Sequence, residues 1–369
     1  AKASDQAKAA AQSKAAEDAR LAAEKNKQAE DAKVALALQA KTAAQAKAAE
    51  DLRAAEEKAR LAQEIQKRDA EAKAAAAAQT GLREGTPVLV GGADYPVSLL
   101  GSGACETGLA SDVTGTSCIL TLIADWPVLD PEICNVLTIE GHWGPFVLLE
   151  SGGDAMRWAR RALHDNALNY ATIVARAAEA PAGADALFFL PYLAGERLGQ
   201  HRNARAQFFG LGAAHGLPHL HRAVMEGVAF AAARHLKIME AATGRPVARL
   251  IASGGGAKTA LWLKIKASIY GVPVAVPKEA ECGIVGCAAI AQTATGRRRS
   301  LKQAVGALVA MDDEIQPDPR WQKTYGRMQP VFDDLYRTAQ PLYDRLDAIA
   351  AMPAPTSLTP EPVAAGAAP

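Results

Sequence analysis

The residues best suited to chemistry lie between Ile251 and Ala291, where an apolar run ends in three consecutive glycines. Gly254, Gly255 and Gly256 stand between a predicted strand and an amphipathic helix that begins near Lys258. Such a junction directs free backbone N–H groups and the positive end of a helix dipole towards one point, and glycine lets a ligand approach the backbone. The pattern is typical of a site for a nucleotide phosphate or a sugar. It also occurs as a plain tight turn, and this stretch alone leaves both interpretations open.

Two segments nearer the N-terminus carry polar side chains after apolar residues. Asp94 follows an apolar run and two glycines in GGADYPVS, where a carboxylate either accepts a proton from a substrate or caps the next turn. The segment DVTGTS ends in Thr114, Gly115, Thr116 and Ser117. Its hydroxyl and N–H groups could donate to phosphate oxygens, although such residues also form ordinary polar turns.

Apolar runs and helical periodicity predict the elements that position these residues. Strands are predicted at Pro87–Val90, Cys118–Ile123, Val136–Ile139, Phe146–Leu149, Leu187–Leu190, Arg249–Ala252 and Val272–Val276. Helices are predicted at Gly153–His164, Ala167–Ala178, Pro218–Thr243, Lys258–Tyr270, Ile284–Thr295 and Trp321–Ile349. Strands that alternate with long helices indicate an α/β domain, which we place at residues 81–350.

The composition changes abruptly near residue 80. Residues 1–80 contain no glycine, proline, cysteine or aromatic residue and are dominated by alanine and charged side chains. Alanine is the strongest helix former, so this segment is predicted to be one long helix. Its larger apolar residues do not sustain a heptad, which argues against a strong coiled coil. A spacer, an oligomerising helix and a fusion in place of another domain all remain open. Residues 351–369 are rich in proline and alanine and are predicted to be disordered.

Charge and composition limit the partners that we expect. The chain has 41 Lys and Arg against 40 Asp and Glu, which gives no support for binding to nucleic acid or to a membrane surface. The five cysteines form no C-x-x-C pair and fit free thiols in a reducing compartment, so we expect a cytoplasmic protein. His215, His219 and His221 are predicted to be solvated at a helix start rather than to bind a metal.

Read together, the motifs resemble the FGGY family of carbohydrate kinases, and within it the xylulokinase-like members. The motifs occur in the order expected for the family. They are GLREGTPVLVGGADYPVSLLGSGA, DVTGTS, LESGGDAMRWARR, FFLPYLAGER, AQFFGLGAAHGLPHLHRAVMEG, the glycine turn and PKEAECGIVGCAAIA. The resemblance covers only the second half of the family's sequence. It implies an actin-like ATPase domain with a ribonuclease H-like mixed sheet flanked by helices, here preceded by the long Ala-rich helix.

The resemblance also implies a role for each matched residue. Asp94 is the general base that accepts the proton of a sugar hydroxyl. The segment Thr114–Ser117 is a phosphate motif, and the segment Gly254–Ala257 lies against the nucleotide.

Lys258 approaches a phosphate or remains solvated. Glu281 and Gly283 fall in a loop near the nucleotide, although Glu281 could equally be an acidic residue that interacts favourably with the helix dipole. Glu196 and Arg197 belong to a motif near the cleft, as ligand contacts or as an ion pair. Gly152, Gly153 and Asp154 shape a helix start.

The implied reaction is in-line transfer from ATP, bound as its Mg²⁺ complex, to a sugar such as xylulose, with no metal site of the protein's own. In the family a second lobe carries most sugar contacts. The expected partners are therefore the sugar and ATP, with a homodimer or a separate N-terminal lobe as possible protein partners. A half-kinase that binds nucleotide without turnover and a helical spacer remain the alternatives.

Overall fold

The computed structural model describes residues 2–164, 166–198, 201–312 and 314–351. The chain divides into two compact units, Ala1–Val88 and Leu89–Pro369. The predicted tail lies almost entirely outside the described residues. Within the described part, no helix is long and apolar enough to cross a bilayer.

The first unit is built on α1, which runs from Lys2 to Thr80 without interruption. From residue 13 onwards its side chains are exposed, except for the half-buried Ala77. Ion pairs one turn apart, such as Arg68–Glu64 at 2.9 Å, each add about 0.2–0.5 kcal/mol. Local propensity rather than a core therefore stabilises α1.

The second unit contains eight further helices among its described residues. They are α2 (Asp94–Ser102), α3 (Gly153–His164), α4 (Tyr170–Glu179), α5 (Leu217–Thr243), α6 (Ala260–Tyr270), α7 (Cys282–Ala294), α8 (Leu301–Leu308) and α9 (Pro319–Ala350). The predicted helices agree with these within a few residues. The short helices α2 and α8 were not predicted.

A mixed sheet of six strands forms the centre of this unit. Its strands are β1 (Leu109–Thr114), β2 (Cys118–Leu122), β3 (Cys134–Leu137), β4 (Trp143–Leu149), β7 (Arg249–Ser253) and β8 (Val274–Ala275). Their order is β3-β4-β2-β1-β7-β8, with β1, β7 and β8 parallel and the other neighbours antiparallel. A separate antiparallel pair joins β5 (Phe188–Leu190) to β6 (Gln207–Phe209). The mixed sheet flanked by helices agrees with the predicted fold class.

Successive side chains of each strand point to opposite faces of the sheet. In β7, Leu250 and Ala252 join the largest core cluster, which includes residues of α3, α4, α5, α6 and α9. Ile251 points to the opposite face, where it packs with Leu99 of α2. This division places α6 on one face and α2 on the other, and it decides which candidate residues can meet.

The predicted strand at Pro87–Val90 is wrong. The segment is irregular, and the side chains of Val88 and Val90 are 92% and 95% exposed. A β-branched run forms a strand only where a neighbouring strand pairs with it, and no described residue does so here.

One of the three predicted solvated histidines, His221, differs from the prediction. His221 is fully buried in α5, with its Nε2 atom 2.6 Å from Nε2 of His164. Burial, and then the neighbouring His164, lower the pKa of His221 to about 4, so this histidine is neutral at pH 7.

Candidate functional site

The two glycine motifs meet because their strands are parallel neighbours. Val113 of β1 pairs with Ser253 of β7, so both strands reach the same edge of the sheet and enter their turns side by side. β1 continues through Gly115–Ser117 into β2, and β7 continues through Gly254 into a 3₁₀ turn over Gly255–Lys258. Motifs about 140 residues apart in sequence are thus brought together by one strand pairing.

Thr114 lies between the two turns and sets how closely they pack. Gly254 has φ of +78°, and a Cβ atom there would lie 2.7 Å from the carbonyl oxygen of Thr114. A Cβ atom on Gly256 would lie 2.8 Å from the Thr114 side chain. Both positions therefore exclude larger residues, and Gly254 additionally needs glycine for its backbone conformation.

The start of α3 closes the same edge from another side. The N–H of Gly153 donates to the carbonyl of Gly115 at 2.9 Å, and the N–H of Asp154 donates to the carbonyl of Thr116 at 3.0 Å. A Cβ atom on Gly153 would lie 2.2 Å from that Gly115 carbonyl. The predicted helix start thus also fixes the turn between β1 and β2.

These elements surround an open pocket of about 840 Å³. The lining divides by chemistry into two sets. The polar or glycine set, called here the polar end, is Gly115, Thr116, Gly153, Arg157, Gly255, Gly256, Lys258 and Thr259. The apolar set, called here the apolar end, is Met156, Tyr170, Ala171, Val174, Ala175, Met225, Ala260, Leu261 and Trp262. A volume of this size suits a small organic ligand with one charged and one apolar part.

The polar end carries positive charge from several sources. Gly153, the first residue of α3, and Thr259, the N-cap residue of α6, both line it, and a helix start favours an anion. Arg157 donates to Asp154 at 3.0 Å and to the Thr116 hydroxyl at 3.3 Å, which holds its guanidinium beside the turn. Lys258 lies on the other turn, with an exposed side chain. Together these groups can receive an anion such as a phosphate.

The predicted site residues fall into two groups. Gly115, Thr116, Gly255, Gly256 and Lys258 line the pocket. Thr114 and Gly254 are not in the lining and contact each other where the two strands enter these turns, while Ser117 and Ala257 are the next residues of the same turns.

Asp94, Glu281 and Gly283 form the second group, on the helix pair α2–α7 and outside the pocket lining. Asp94 begins α2 with an exposed side chain, and its carboxylate accepts from the N–H of Tyr95 at 2.7 Å. Tyr95 hydrogen-bonds Thr121 in the middle of β2.

Glu281 occupies the N-cap position of α7 without a side-chain capping bond, and Gly283 lies beside Ser98, one turn beyond Asp94. The two helices pack tightly, because a Cβ atom on Gly101 would lie 1.8 Å from the carbonyl of Cys282. This group therefore stands together on the face of the sheet opposite α6.

Glu196 and Arg197 make separate contacts rather than an ion pair with each other. Both carboxylate oxygens of Glu196 accept from the Tyr336 hydroxyl, at 2.8 and 3.0 Å. Burial raises the pKa of Glu196 to about 7, although the Tyr336 hydrogen bond acts in the opposite direction. Arg197 instead pairs with Glu150, with its Nη1 atom 3.5 Å from Oε1 of that carboxylate.

The sequence patterns did not identify the apolar end of the pocket or the groups beneath the turns. Tyr170 and Val174 are one turn apart on α4, a spacing that also describes an ordinary core face. Asp112 and Lys266 form a buried ion pair under Thr114, and nothing near either residue in sequence predicts it.

The comparisons with known proteins agree with this architecture. Residues 110–295 match the C-terminal domain of the FGGY family of carbohydrate kinases. A gluconokinase from Bacillus licheniformis is 30% identical over 286 residues, which cover 73% of this chain and 55% of the relative. A xylulose kinase from Staphylococcus epidermidis is 28% identical over 273 residues, which cover 72% of this chain and 54% of the relative.

Solved structures give the same result. A xylulose kinase from Rhodospirillum rubrum superposes with a TM-score of 0.68 at 32% identity, over 74% of this chain and 55% of that protein. A gluconate kinase from Lactobacillus acidophilus gives a TM-score of 0.69 at 27% identity, over 73% and 55%. This chain spans about half the length of the curated relatives that it matches. The family match, the shared fold and the paired glycine turns lead to one conclusion: the chain belongs to the FGGY family of carbohydrate kinases.

Proposed function

We propose that this chain binds ATP in the pocket between the two glycine turns and takes part in phosphoryl transfer from ATP to a sugar hydroxyl. The observation that carries the proposal is the meeting of both turns and two helix starts at one polar pocket end, next to an apolar end. The phosphates fit the polar end, where backbone N–H groups, Arg157 and Lys258 can neutralise their charge. The base and ribose fit the apolar end.

Magnesium belongs to the substrate in this proposal. The pocket offers donors and cations rather than a set of carboxylates, which suits a phosphate chain and not a bare metal ion. Mg²⁺ bound to ATP would neutralise charge on the transferred phosphoryl group. The protein's own residues orient the nucleotide.

We further propose Asp94 as the general base. Its exposed carboxylate could accept the proton of the sugar hydroxyl as the phosphoryl group arrives. Glu281 and Gly283, at the start of the neighbouring helix, would line the same side of the cleft. Residues 81–350 would then form the C-terminal kinase domain, working against a second lobe that closes over the sugar and excludes water. The acceptor would be a pentulose such as xylulose, with gluconate as the competing choice.

Calorimetry with ADP tests the nucleotide site. We expect the full chain to bind ADP, and Gly255→Leu to remove binding, since Gly255 lines the pocket and a side chain there would occupy it. The nearest atom to a Cβ at this position is 3.9 Å away, so the substitution should leave the fold intact. Gly306→Leu, at an exposed helix position with open space, is the control. A full chain that does not bind ADP would refute the nucleotide site.

Sugar-dependent ADP formation, measured on the same preparation with xylulose and with gluconate, tests the reaction. Turnover that Asp94→Asn abolishes would support the base, whereas unchanged turnover in that variant would refute it. Binding of ADP without turnover of either sugar would instead favour a nucleotide-binding half that depends on a separate lobe.

A further inference from the structure

A buried ion pair lies directly beneath the two glycine turns. Nζ of Lys266 in α6 lies 2.7 Å from Oδ1 of Asp112 in β1, and the two side chains are 2% and 0% exposed. Taking two charges out of water costs several kcal/mol per ion, and the mutual attraction offsets this only with good geometry. A buried pair of this kind is therefore weak evidence for stability, and its position suggests another role.

The pair is connected to the first turn through Thr114. Nζ of Lys266 donates to the Thr114 hydroxyl at 2.6 Å, and that hydroxyl donates to Oδ1 of Asp112 at 2.5 Å. The Tyr270 hydroxyl donates to the other Asp112 oxygen at 3.3 Å. The Thr114 hydroxyl is thus directed inward and fixed from two sides.

Thr114 in turn supports the second turn. Its carbonyl lies under Gly254 and its side chain lies under Gly256, each within the distance that only glycine tolerates. A rotation of Thr114 would therefore move both turns. The same lysine lies over the ring of Trp262 at 5.1 Å, and the indole N–H of Trp262 donates to the carbonyl of Met225 at 2.9 Å. The hydrogen bond to Met225 holds this wall of the apolar end without the lysine, whereas the hydroxyl of Thr114 depends on the pair.

We propose that Lys266 and Asp112 are positioning residues of the nucleotide site, holding Thr114 so that both turns are preformed for the phosphates. The inference rests on the proposed function, because it concerns the same pocket. It makes a specific claim: without the pair, the phosphate part of a nucleotide loses affinity, while the nucleoside part keeps it.

The test compares two buried ion pairs. Lys266→Met with Asp112→Leu removes both charges of the proposed pair. Arg222→Met with Glu226→Leu removes a pair of equal burial, at 2.8 Å and 2% and 1% exposure. Its contacts are with Ala180, Gly183, Trp321 and Tyr325 instead of the turns. Tryptophan fluorescence establishes that each variant is folded, and calorimetry then gives the affinities for ADP and for adenosine.

We expect the Lys266/Asp112 variant to bind ADP about tenfold more weakly, the effect of one lost hydrogen bond to a charged group, while its adenosine affinity stays within about twofold. The Arg222/Glu226 variant should bind both ligands as the wild type does. ADP affinity equal to wild type in the folded Lys266/Asp112 variant would overturn the inference and leave the proposed function intact. An equal loss for ADP and adenosine would also overturn it, because it indicates a general loss of the pocket. A wild type that binds no ADP refutes both.

Thr114→Val provides a second test if the double variant does not fold. Valine keeps the shape of the side chain and removes only the hydroxyl that joins the turn to the pair. We expect Thr114→Val to weaken ADP binding selectively and Thr114→Ser, which keeps the hydroxyl, to restore it. Equal ADP affinity in the two variants would contradict the inference.

Discussion

Substitution of Lys266 by methionine should destabilise the second unit strongly. The change preserves the length and packing of the side chain but leaves the carboxylate of Asp112, which is 0% exposed, without its cation. Removing one partner of a buried pair costs about 3–5 kcal/mol, because an uncompensated charge stays in the interior. For a domain of this size, that corresponds to a fall in melting temperature of roughly 10 °C.

The double substitution Lys266→Met with Asp112→Asn tests the cause of this loss. It removes both charges of the pair, so no uncompensated charge stays in the interior. We expect it to recover most of the stability that Lys266→Met alone loses.

Tryptophan fluorescence during urea unfolding is the suitable assay. The chain has five tryptophans and all lie in the second unit, so the signal reports that unit and not α1. Lys264→Met is the control, because this lysine lies on the same helix with a 39% exposed side chain and pairs with Asp318 at 3.5 Å. Its loss should cost less than about 1 kcal/mol. A Lys266→Met variant as stable as Lys264→Met at pH 7 would refute the reasoning.

Three further predictions concern other parts of the chain. Burial raises the pKa of Glu196 from 4.5 to about 7, so between these pH values the folded state binds more protons than the unfolded state. The stability contributed by the protonated carboxyl is therefore lost as the pH rises through about 7. The difference in unfolding free energy between wild type and Glu196→Gln should therefore change between pH 5 and 8, and a constant difference would contradict the assignment. Gly101→Ala should destabilise the second unit by more than about 2 kcal/mol, because its Cβ would lie 1.8 Å from the Cys282 carbonyl. The control Gly306→Ala has open space and should stabilise the unit by about 0.5–1 kcal/mol. Equal unfolding midpoints for the two variants would reject the α2–α7 packing. Circular dichroism should fall gradually on heating before the fluorescence transition, since the α1 side chains from residue 13 onwards are exposed apart from the half-buried Ala77. A single shared transition would show that α1 is stabilised by more than its own propensity.

The sequence predicted the long periodic elements and the glycine turns, because both depend on local chemistry. The helix α3 begins and ends where periodicity placed it, and the turn at Gly254 follows β7 as expected. Features that depend on distant partners were not predicted. The strand β1 was missed because Asp112 interrupts its apolar pattern, and that aspartate is acceptable in a buried strand only because Lys266 lies 154 residues further along the chain.

Pro87–Val90 shows the opposite case. Its composition is typical of a strand, yet its side chains are exposed and no described strand pairs with it. Strand formation depends on a neighbour, and a single segment carries no information about one. For the same reason the apolar end of the pocket, assembled from α3, α4, α5 and α6, could not be recognised from any one stretch of the chain.

A crystal structure of the full chain with ADP and magnesium tests the central claim most directly. The account predicts phosphate density within hydrogen-bonding distance of Thr116 and of the turn at Gly255 and Gly256, with the adenine against Tyr170 and Val174. Nucleotide bound elsewhere on the domain, or an empty pocket at saturating ADP, would contradict it.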